Sequence, residues 1–195
     1  MNTIIVFLIA FISLPVLASN PNPENKNNKD SCKALLVQND VSLINSEIME
    51  LSDEEQSGLI HMRVEEKLAR DVYITLGELW SVRIFQNIQK SEQRHMDAMK
   101  RLVDFYEIPD PAENDEVGIF SIVEFQELYD ELVEKGTTSY QNAMLVGKAI
   151  EELDIADLED QIELVDNPDI NVVYENLKAA SERHLNAFDR HINNQ

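Results

Sequence analysis

The residues of this sequence that could carry out chemistry are glutamates and histidines that interrupt apolar stripes at helical spacing. Glu92 and His95 stand three residues apart in a run whose apolar residues, such as Ile88 and Met99, recur every three or four positions. Residues at that spacing share one face of a helix, so both side chains are predicted to point into the core, one turn apart. A carboxylate can bridge or chelate a metal ion and an imidazole can complete its coordination, so this pair predicts a metal site.

Three further amphipathic segments add candidates of the same chemical types. Glu66 shares a helical ridge with apolar residues in the first segment. In the third long segment the helical phase favours Glu151 over Glu152 as the inward residue. In the last segment His184 lies on the inward ridge. With an aspartate one turn after Glu151, the candidate metal ligands are Glu66, Glu92, His95, Glu151, Asp154 and His184.

A single inward glutamate or histidine is usually a hydrogen-bonded core residue, but several that converge require another explanation. Buried, unpaired carboxylates cost several kcal/mol each. No inward Lys or Arg is expected to pair with them, so a bound cation is the predicted counter-charge. The other two histidines are expected to lie elsewhere, His61 on the surface and His191 at the C-terminal end of the last helix, where the helix dipole favours it.

The apolar periodicity predicts four long helices to position these residues. Ser52 and Glu55 form a capping box that begins the first helix, near residues 53–79. The second helix is expected to stop before Pro109, and Ser139 can cap the third. The fourth follows the sequence Asn167-Pro168-Asp169, which interrupts the helical pattern.

The connection between the second and third long helices is the longest in the predicted domain. Residues 109–118 are acidic and contain prolines, which predicts a loop, and a shorter amphipathic helix that is closed by Gly136 follows. No segment has the sustained alternation that is typical of strands. The predicted fold class is therefore all-α: a four-helix bundle with a crossover that contains a short extra helix.

The N-terminal residues predict export. Residues 4–18 form an apolar run of about 15 residues, shorter than a typical membrane span, and end in small residues that suit signal peptidase. Residues 1–18 are predicted to be a signal peptide, residues 19–50 a disordered tether and residues 51–195 the bundle. The expected location is secreted or periplasmic. Because the first residues lack Lys and Arg, a retained N-terminal anchor is the alternative.

The composition excludes several function classes. The 195 residues include 16 Lys and Arg against 37 Asp and Glu, a formal net charge of -21, so the surface repels phosphate backbones and nucleic-acid binding is not expected. The single cysteine, Cys32, excludes an intramolecular disulfide framework, a cysteine-based zinc finger and an iron–sulfur cluster. Chemistry must therefore depend on carboxylates, imidazoles and hydroxyl groups.

The order of the candidate ligands, Glu66, then Glu92-x-x-His95, then Glu151 and then His184, resembles the ferritin-like (rubrerythrin-like) family of carboxylate-bridged di-iron bundles. The resemblance covers about residues 53–192. The stretches 62–73 and 150–158 look like an uncharacterised branch of secreted bacterial and archaeal ferritin-like domain proteins. The resemblance implies a ferritin-like bundle that binds iron. It also implies that Glu92 and Glu151 are bridging or chelating ligands and that Glu66, His95 and His184 are terminal ligands.

The last helix departs from the family pattern. A Glu-x-x-His motif would place a glutamate three residues before His184, where this chain has Ser181, and Glu182 is displaced by one residue. Because one residue turns a helix by roughly 100°, Glu182 is a poor substitute. The expected centre is therefore either asymmetric, with Asp154 recruited, or one strong metal position beside a weak one.

Three functions are compatible with these observations. The first is an exported iron protein with a di-iron or asymmetric centre and oxidoreductase or peroxidase-type chemistry on oxygen, peroxide or iron. The second is a metal-free helical interaction module, and the third is a metal-buffering protein, for which manganese or zinc would serve as well. The expected partners are metal ions and an external electron donor, with a homodimer as a further option; no membrane association is expected after signal cleavage.

Overall fold

The computed structural model describes residues 50–193, and every regular element in that part of the chain is an α-helix. The helices are α1 (Asp53–Trp80), α2 (Arg83–Phe105), α3 (Val123–Thr137), α4 (Tyr140–Leu164) and α5 (Pro168–Asn193). The all-helical prediction is confirmed. Among these helices none is long and apolar enough to cross a membrane. The predicted signal peptide and the predicted tether, apart from residue 50, lie outside the described residues.

Capping bonds confirm the predicted starts of the first and third long helices, whereas α5 begins at Pro168, inside the predicted interruption. The backbone N–H of Glu55 donates to Ser52 Oγ over 3.1 Å, and the Ser52 N–H donates to Glu55 Oε2 over 2.9 Å. The other oxygen of Glu55 accepts bonds from the backbone and side chain of Asn167 at 3.0 and 2.8 Å, which joins the start of α1 to the turn before α5. Ser139 caps α4 as predicted.

The helices form two pairs joined by a long connection. α1 packs along α2, and α4 packs along α5; each pair is linked by a short turn, as in a helical hairpin. Contacts of α1 with α4 and of α2 with α5 join the two pairs, and α3, which lies in the connection, packs against α1 and α4.

The apolar core is split into two clusters along the axis of the bundle. One cluster contains Tyr73, Phe85 and Phe188, and the other contains Met62 and Met99. On each of the four long helices, the predicted ligands lie between residues of the first cluster and residues of the second. The polar side chains therefore lie at one level of the bundle, with an apolar layer on either side.

Helix α1 is buried on every side over residues 62–73 because α2, α4 and the connection with α3 surround it. Three basic side chains, Arg63, Lys67 and Arg70, are buried there, which the helical phase did not predict. They contact other groups than the candidate ligands. Arg63 pairs with Asp110 at 3.0 Å, and both Lys67 and Arg70 pair with Asp71.

These ion pairs attach the connecting segment to α1. Asp71, which has no exposed surface, also accepts the backbone N–H of Gly118 at 3.0 Å. Lys67 donates to the carbonyl oxygen of Glu116 at 2.8 Å, and Arg70 pairs with Asp115 at 2.6 Å. Residues 113–116 are themselves exposed, so this acidic run contacts the buried cations of α1 from the surface.

Replacement of Asp71 by Asn is expected to lower the free energy of unfolding by about 3–5 kcal/mol, because it leaves two buried cations without their shared carboxylate. Urea unfolding monitored by circular dichroism measures the change. Asp104→Asn is the control: its pair with Lys100 is exposed, and its loss should cost less than about 1 kcal/mol. Equal losses in the two variants would contradict the assignment.

Candidate metal centre

Glu92 is the central residue of the polar layer. Its Oε1 lies 2.9 Å from His184 Nδ1, and its Oε2 lies 2.8 Å from His95 Nδ1. The carboxylate is thus held between one imidazole of its own helix and one of α5. The two imidazole rings face each other with centroids 5.7 Å apart and an interplanar angle of 24°.

A second carboxylate lies beside each imidazole. Glu66 Oε2 is hydrogen-bonded to His95 Nδ1 at 3.1 Å, and Glu151 Oε2 lies 3.4 Å from His184 Nδ1. The result is two groups, one of Glu66, Glu92 and His95 and one of Glu92, Glu151 and His184, in each of which the possible ligand atoms lie within 4.8 Å of one another. The groups share Glu92, and each could hold a metal ion.

Several of these atoms are buried without a hydrogen-bond partner. They include Glu66 Oε1, Glu92 Oε1 and His184 Nδ1. Glu92 Oε1 and His184 Nδ1 are close, but they are not aligned as donor and acceptor. Buried polar atoms are nearly always satisfied, and an unmet one costs about 1–3 kcal/mol. Oxygen and nitrogen atoms that lie close together without a hydrogen bond between them are placed as the ligands of a metal ion would be.

Electrostatics around Glu92 follow from its two imidazoles. Burial alone would raise the pKa of Glu92, but the contacts with His184 and then His95 lower it to about 2. Burial alone would lower the pKa of His95, but Glu66 and Glu92 raise it to about 11. The pKa of His184 is raised in the same way, to about 9, by Glu151 and Glu92.

The outer carboxyl groups hold protons more tightly than usual. Burial raises the pKa of Glu151 to about 7; the contact with His184 opposes the rise, and the charge of Glu92 adds to it. Burial and the charge of Asp154 raise the pKa of Glu66 well above its usual range, although His95 opposes this. In the metal-free protein protons therefore neutralise these groups, and a bound cation would take the place of the protons.

Asp154 is close to this centre but belongs to neither group. It is buried on α4, and its Oδ1 has no hydrogen-bond partner. Burial raises its pKa to about 8; the contact with Ser181 opposes the rise, and Glu151 and Glu92 add to it. Ser181 is buried where the family motif would have a glutamate, whereas Glu182 is exposed.

Tyr73 supports the centre from the adjoining apolar layer. Its hydroxyl donates to Glu151 Oε1 over 2.6 Å, which leaves Oε2 of the same carboxylate towards His184. Its ring packs in the apolar core, against Phe85 and Phe188. A ligand carboxylate held by an outer hydrogen bond is typical of metal sites.

The structure contains a third group that the sequence analysis missed. His61 Nε2 lies 2.9 Å from Asp157 Oδ2 and 3.6 Å from Glu65 Oε2, and these three residues could also hold a metal ion. His61 was expected on the surface; instead it is half-buried because α3 covers it, with Phe125 packed against its ring. His191 is exposed and contacts only its own helix through Nδ1, 3.2 Å from the Ala187 carbonyl oxygen.

Comparison with known proteins finds one family and one close relative. Residues 55–195 match the uncharacterized protein domain DUF2202. The uncharacterized protein MJ0754 of Methanocaldococcus jannaschii is 57% identical over 144 residues, which cover 74% of this chain and 78% of that protein. The crystal structure of hypothetical protein MJ0754 from Methanococcus jannaschii DSM 2661 is similar, with a TM-score of 0.75 and 55% identity; the match covers 79% of this chain and 86% of that one. These descriptions name no function.

The stability of the metal-free protein is expected to fall as the pH rises from 5 to 9. The raised pKa values of His95 and His184 give stability that is complete below the ordinary value of 6.5 and lost through about 9 to 11. Ionisation of Glu151 and Asp154, whose pKa values are raised to about 7 and 8, also costs folding free energy over this interval.

Bound metal should reverse this trend, because metal competes with protons for the same ligand atoms. Urea unfolding at pH 5.5, 7 and 8.5, with a chelator and with Zn²⁺, provides the comparison. Parallel pH profiles in the two series would contradict the assignment of this layer as a metal centre.

Proposed function

The chain belongs to the family of the uncharacterized protein domain DUF2202, and we propose that its buried Glu/His centre binds two divalent transition-metal ions, with iron as the natural metal. The observation that carries the proposal is the position of Glu92, whose two oxygens each approach one imidazole. One ion would be held by Glu66, Glu92 and His95, and the other by Glu92, Glu151 and His184. Glu92 is the shared ligand.

Charge balance supports two ions. Two divalent cations carry four positive charges, and the three ligand carboxylates, Glu66, Glu92 and Glu151, carry three negative charges. Asp154 is buried beside them and supplies a fourth. It compensates for Ser181, so the centre could be neutral without a glutamate on α5.

The donor atoms narrow the choice of metal. Carboxylate oxygens and imidazole nitrogens suit iron, manganese and zinc, and the centre has no thiolate to favour softer ions. The resemblance to the ferritin-like family favours iron among these three. We extend the proposal to the fold, as a ferritin-like bundle in which residues 106–139, with α3, are the crossover.

The proposed reaction is the oxidation of iron by peroxide or oxygen. When bound, two ferrous ions supply two electrons, which with two protons reduce one hydrogen peroxide molecule to two water molecules as each iron becomes ferric. The chain itself positions the ligands: Tyr73 fixes Glu151 from one side, and the apolar layers above and below exclude water. Repeated turnover requires an external electron donor.

Export is part of the same proposal. We propose that residues 1–18 are a signal peptide and that the bundle acts outside the cytoplasm, secreted or periplasmic, at the end of the tether of residues 19–50.

The alternative of a metal-free interaction module is disfavoured by the unbonded buried atoms of Glu66, Glu92 and His184, which such a protein would have no reason to keep.

Iron loading tests the proposal. After anaerobic addition of Fe²⁺ and desalting, the full chain is expected to retain two irons and to develop a near-ultraviolet absorption band on addition of peroxide. Glu92→Ala should lose both irons and the band, because both positions share this carboxylate. Glu152→Gln is the matched control, since Glu152 adjoins Glu151 but is exposed. Retention of two irons by Glu92→Ala would refute the shared-ligand arrangement, and the absence of retained iron in the unaltered chain would refute the function.

Tyr73→Phe is expected to weaken metal binding by about tenfold without changing the stoichiometry, because loss of an outer hydrogen bond leaves the ligand Glu151 less well oriented. Competition with a chromophoric chelator measures the affinity. Tyr174→Phe is the control: this tyrosine is equally buried, but its hydroxyl has no hydrogen-bond partner. Equal effects of the two substitutions would show that Tyr73 acts only through packing.

A further inference from the structure

The third group of residues is partly open to solvent, and its member Glu65 is next to the central ligand Glu66 on α1. His61 and Asp157 have side chains that are 27% and 26% exposed, whereas that of Glu65 is only 3% exposed. Glu65 therefore forms the inner wall of this group, and the other two form its outer rim. An ion from solvent could reach the rim without a change in the packing of the bundle.

Glu65 has an oxygen that the protein alone does not satisfy. Its Oε2 is buried with no hydrogen-bond partner and is directed towards His61 Nε2, 3.6 Å away, which is beyond hydrogen-bond range. His61 Nε2 contacts Asp157 at 2.9 Å, so a proton on that nitrogen would serve Asp157 and leave Glu65 unmet. A divalent cation would satisfy both carboxylates and the imidazole together.

The basic side chains buried nearby are engaged elsewhere. Lys67, two residues after Glu65, binds Asp71 and the connecting segment, and Arg63 binds Asp110. Within the described residues, no Lys or Arg forms an ion pair with Glu65 or Asp157. Glu65 and Asp157 therefore have no permanently charged cation as a partner among the described residues.

Carboxylates continue from this group to the centre. Glu65 and Glu66 are consecutive on α1, and Asp154 stands one turn before Asp157 on α4. Asp154 also stands one turn after the central ligand Glu151, so on α4 it lies between the two sites, and its buried Oδ1 has no hydrogen-bond partner. An ion that left the rim would meet a carboxylate oxygen at each step inwards.

We propose that His61, Glu65 and Asp157 form a second binding site for a divalent transition-metal ion, and that this site loads the central pair by way of Asp154. The ligands would be His61 Nε2 and one oxygen from each carboxylate. The site itself stands independently of the central pair; only its role in loading rests on the function proposed above.

Cobalt binding tests the site apart from the function. Co²⁺ bound by imidazole and carboxylates absorbs visible light, and calorimetry gives its stoichiometry. In the full chain with Glu92→Ala, which disables the central pair, we expect one Co²⁺ to bind at equilibrium in this half-exposed site, from which desalting would remove it, and addition of Asp157→Asn should abolish the binding. Asp157→Asn keeps the size of a half-exposed side chain, and circular dichroism verifies the fold. Equal Co²⁺ content in Glu92→Ala and the double variant would overturn the proposed site.

Loading is tested by the rate at which iron reaches the centre. In otherwise unaltered protein, Asp157→Asn and His61→Ala are each expected to slow iron uptake by about tenfold, with two irons still bound at the end. Asp160→Asn, an exposed carboxylate one turn further along α4, is the control and should leave the rate unchanged. Unchanged rates in Asp157→Asn and His61→Ala would overturn the loading role. If the unaltered chain retains no iron, the proposed function fails, whatever the cobalt result.

Discussion

The structure depends on one electrostatic constraint: three carboxylates and two imidazoles are buried at a single level of a helical bundle. Glu92 partly meets this constraint by standing between His95 and His184. Glu66 and Glu151 remain, each with a pKa raised by burial, so without a metal ion these carboxyl groups hold their protons up to about neutral pH. The apolar clusters above and below limit their solvation by water. A bound cation would replace those protons as the counter-charge of the carboxylates.

The buried carboxylates of helix α1 have different kinds of partner on its opposite faces. Towards the connecting segment, Asp71 is neutralised by Lys67 and Arg70 of its own helix. Towards the other long helices, Glu65 and Glu66 face histidines, and no Lys or Arg in the part of the chain that the structure describes forms an ion pair with them. Permanent ion pairs fix the connection to the bundle, whereas the inward carboxylates have only histidines as partners, as the proposed metal sites require. Because Lys67 and Arg70 of the same helix pair with Asp71 and not with Glu65 or Glu66, we infer that the pairing of these two glutamates with histidines serves a function.

Sequence periodicity was sufficient for the helices and for most of the centre. Capping residues and prolines are local signals, so the start of α1 at Asp53 and the end of α2 before Pro109 could be read directly. Glu92 and His95 were identifiable because α2 has one buried face and one exposed face, so helical phase separates inward from outward positions. The same argument correctly predicted that Glu151 is buried and that Glu152 is exposed.

Helical phase could not predict which residues are buried where a helix is covered by other elements on more than one side. Because α1 is surrounded, both Glu65 and Glu66 are buried although they are consecutive, and the phase argument selected only Glu66. The pairing of Arg63 with Asp110 joins residues 47 positions apart, so no local sequence pattern predicts it. His61 acquires its role only when α3 covers it and α4 supplies Asp157.

The central claim is that Glu92 is shared by two metal ions, and the most direct test is anomalous X-ray diffraction at the iron edge from crystals of the iron-loaded protein. Two peaks are expected, one on each side of the Glu92 carboxylate, about 3.5–4 Å apart as in other two-metal sites, with one beside His95 Nδ1 and the other beside His184 Nδ1. A single peak away from Glu92, or no peak in this layer, would contradict the claim.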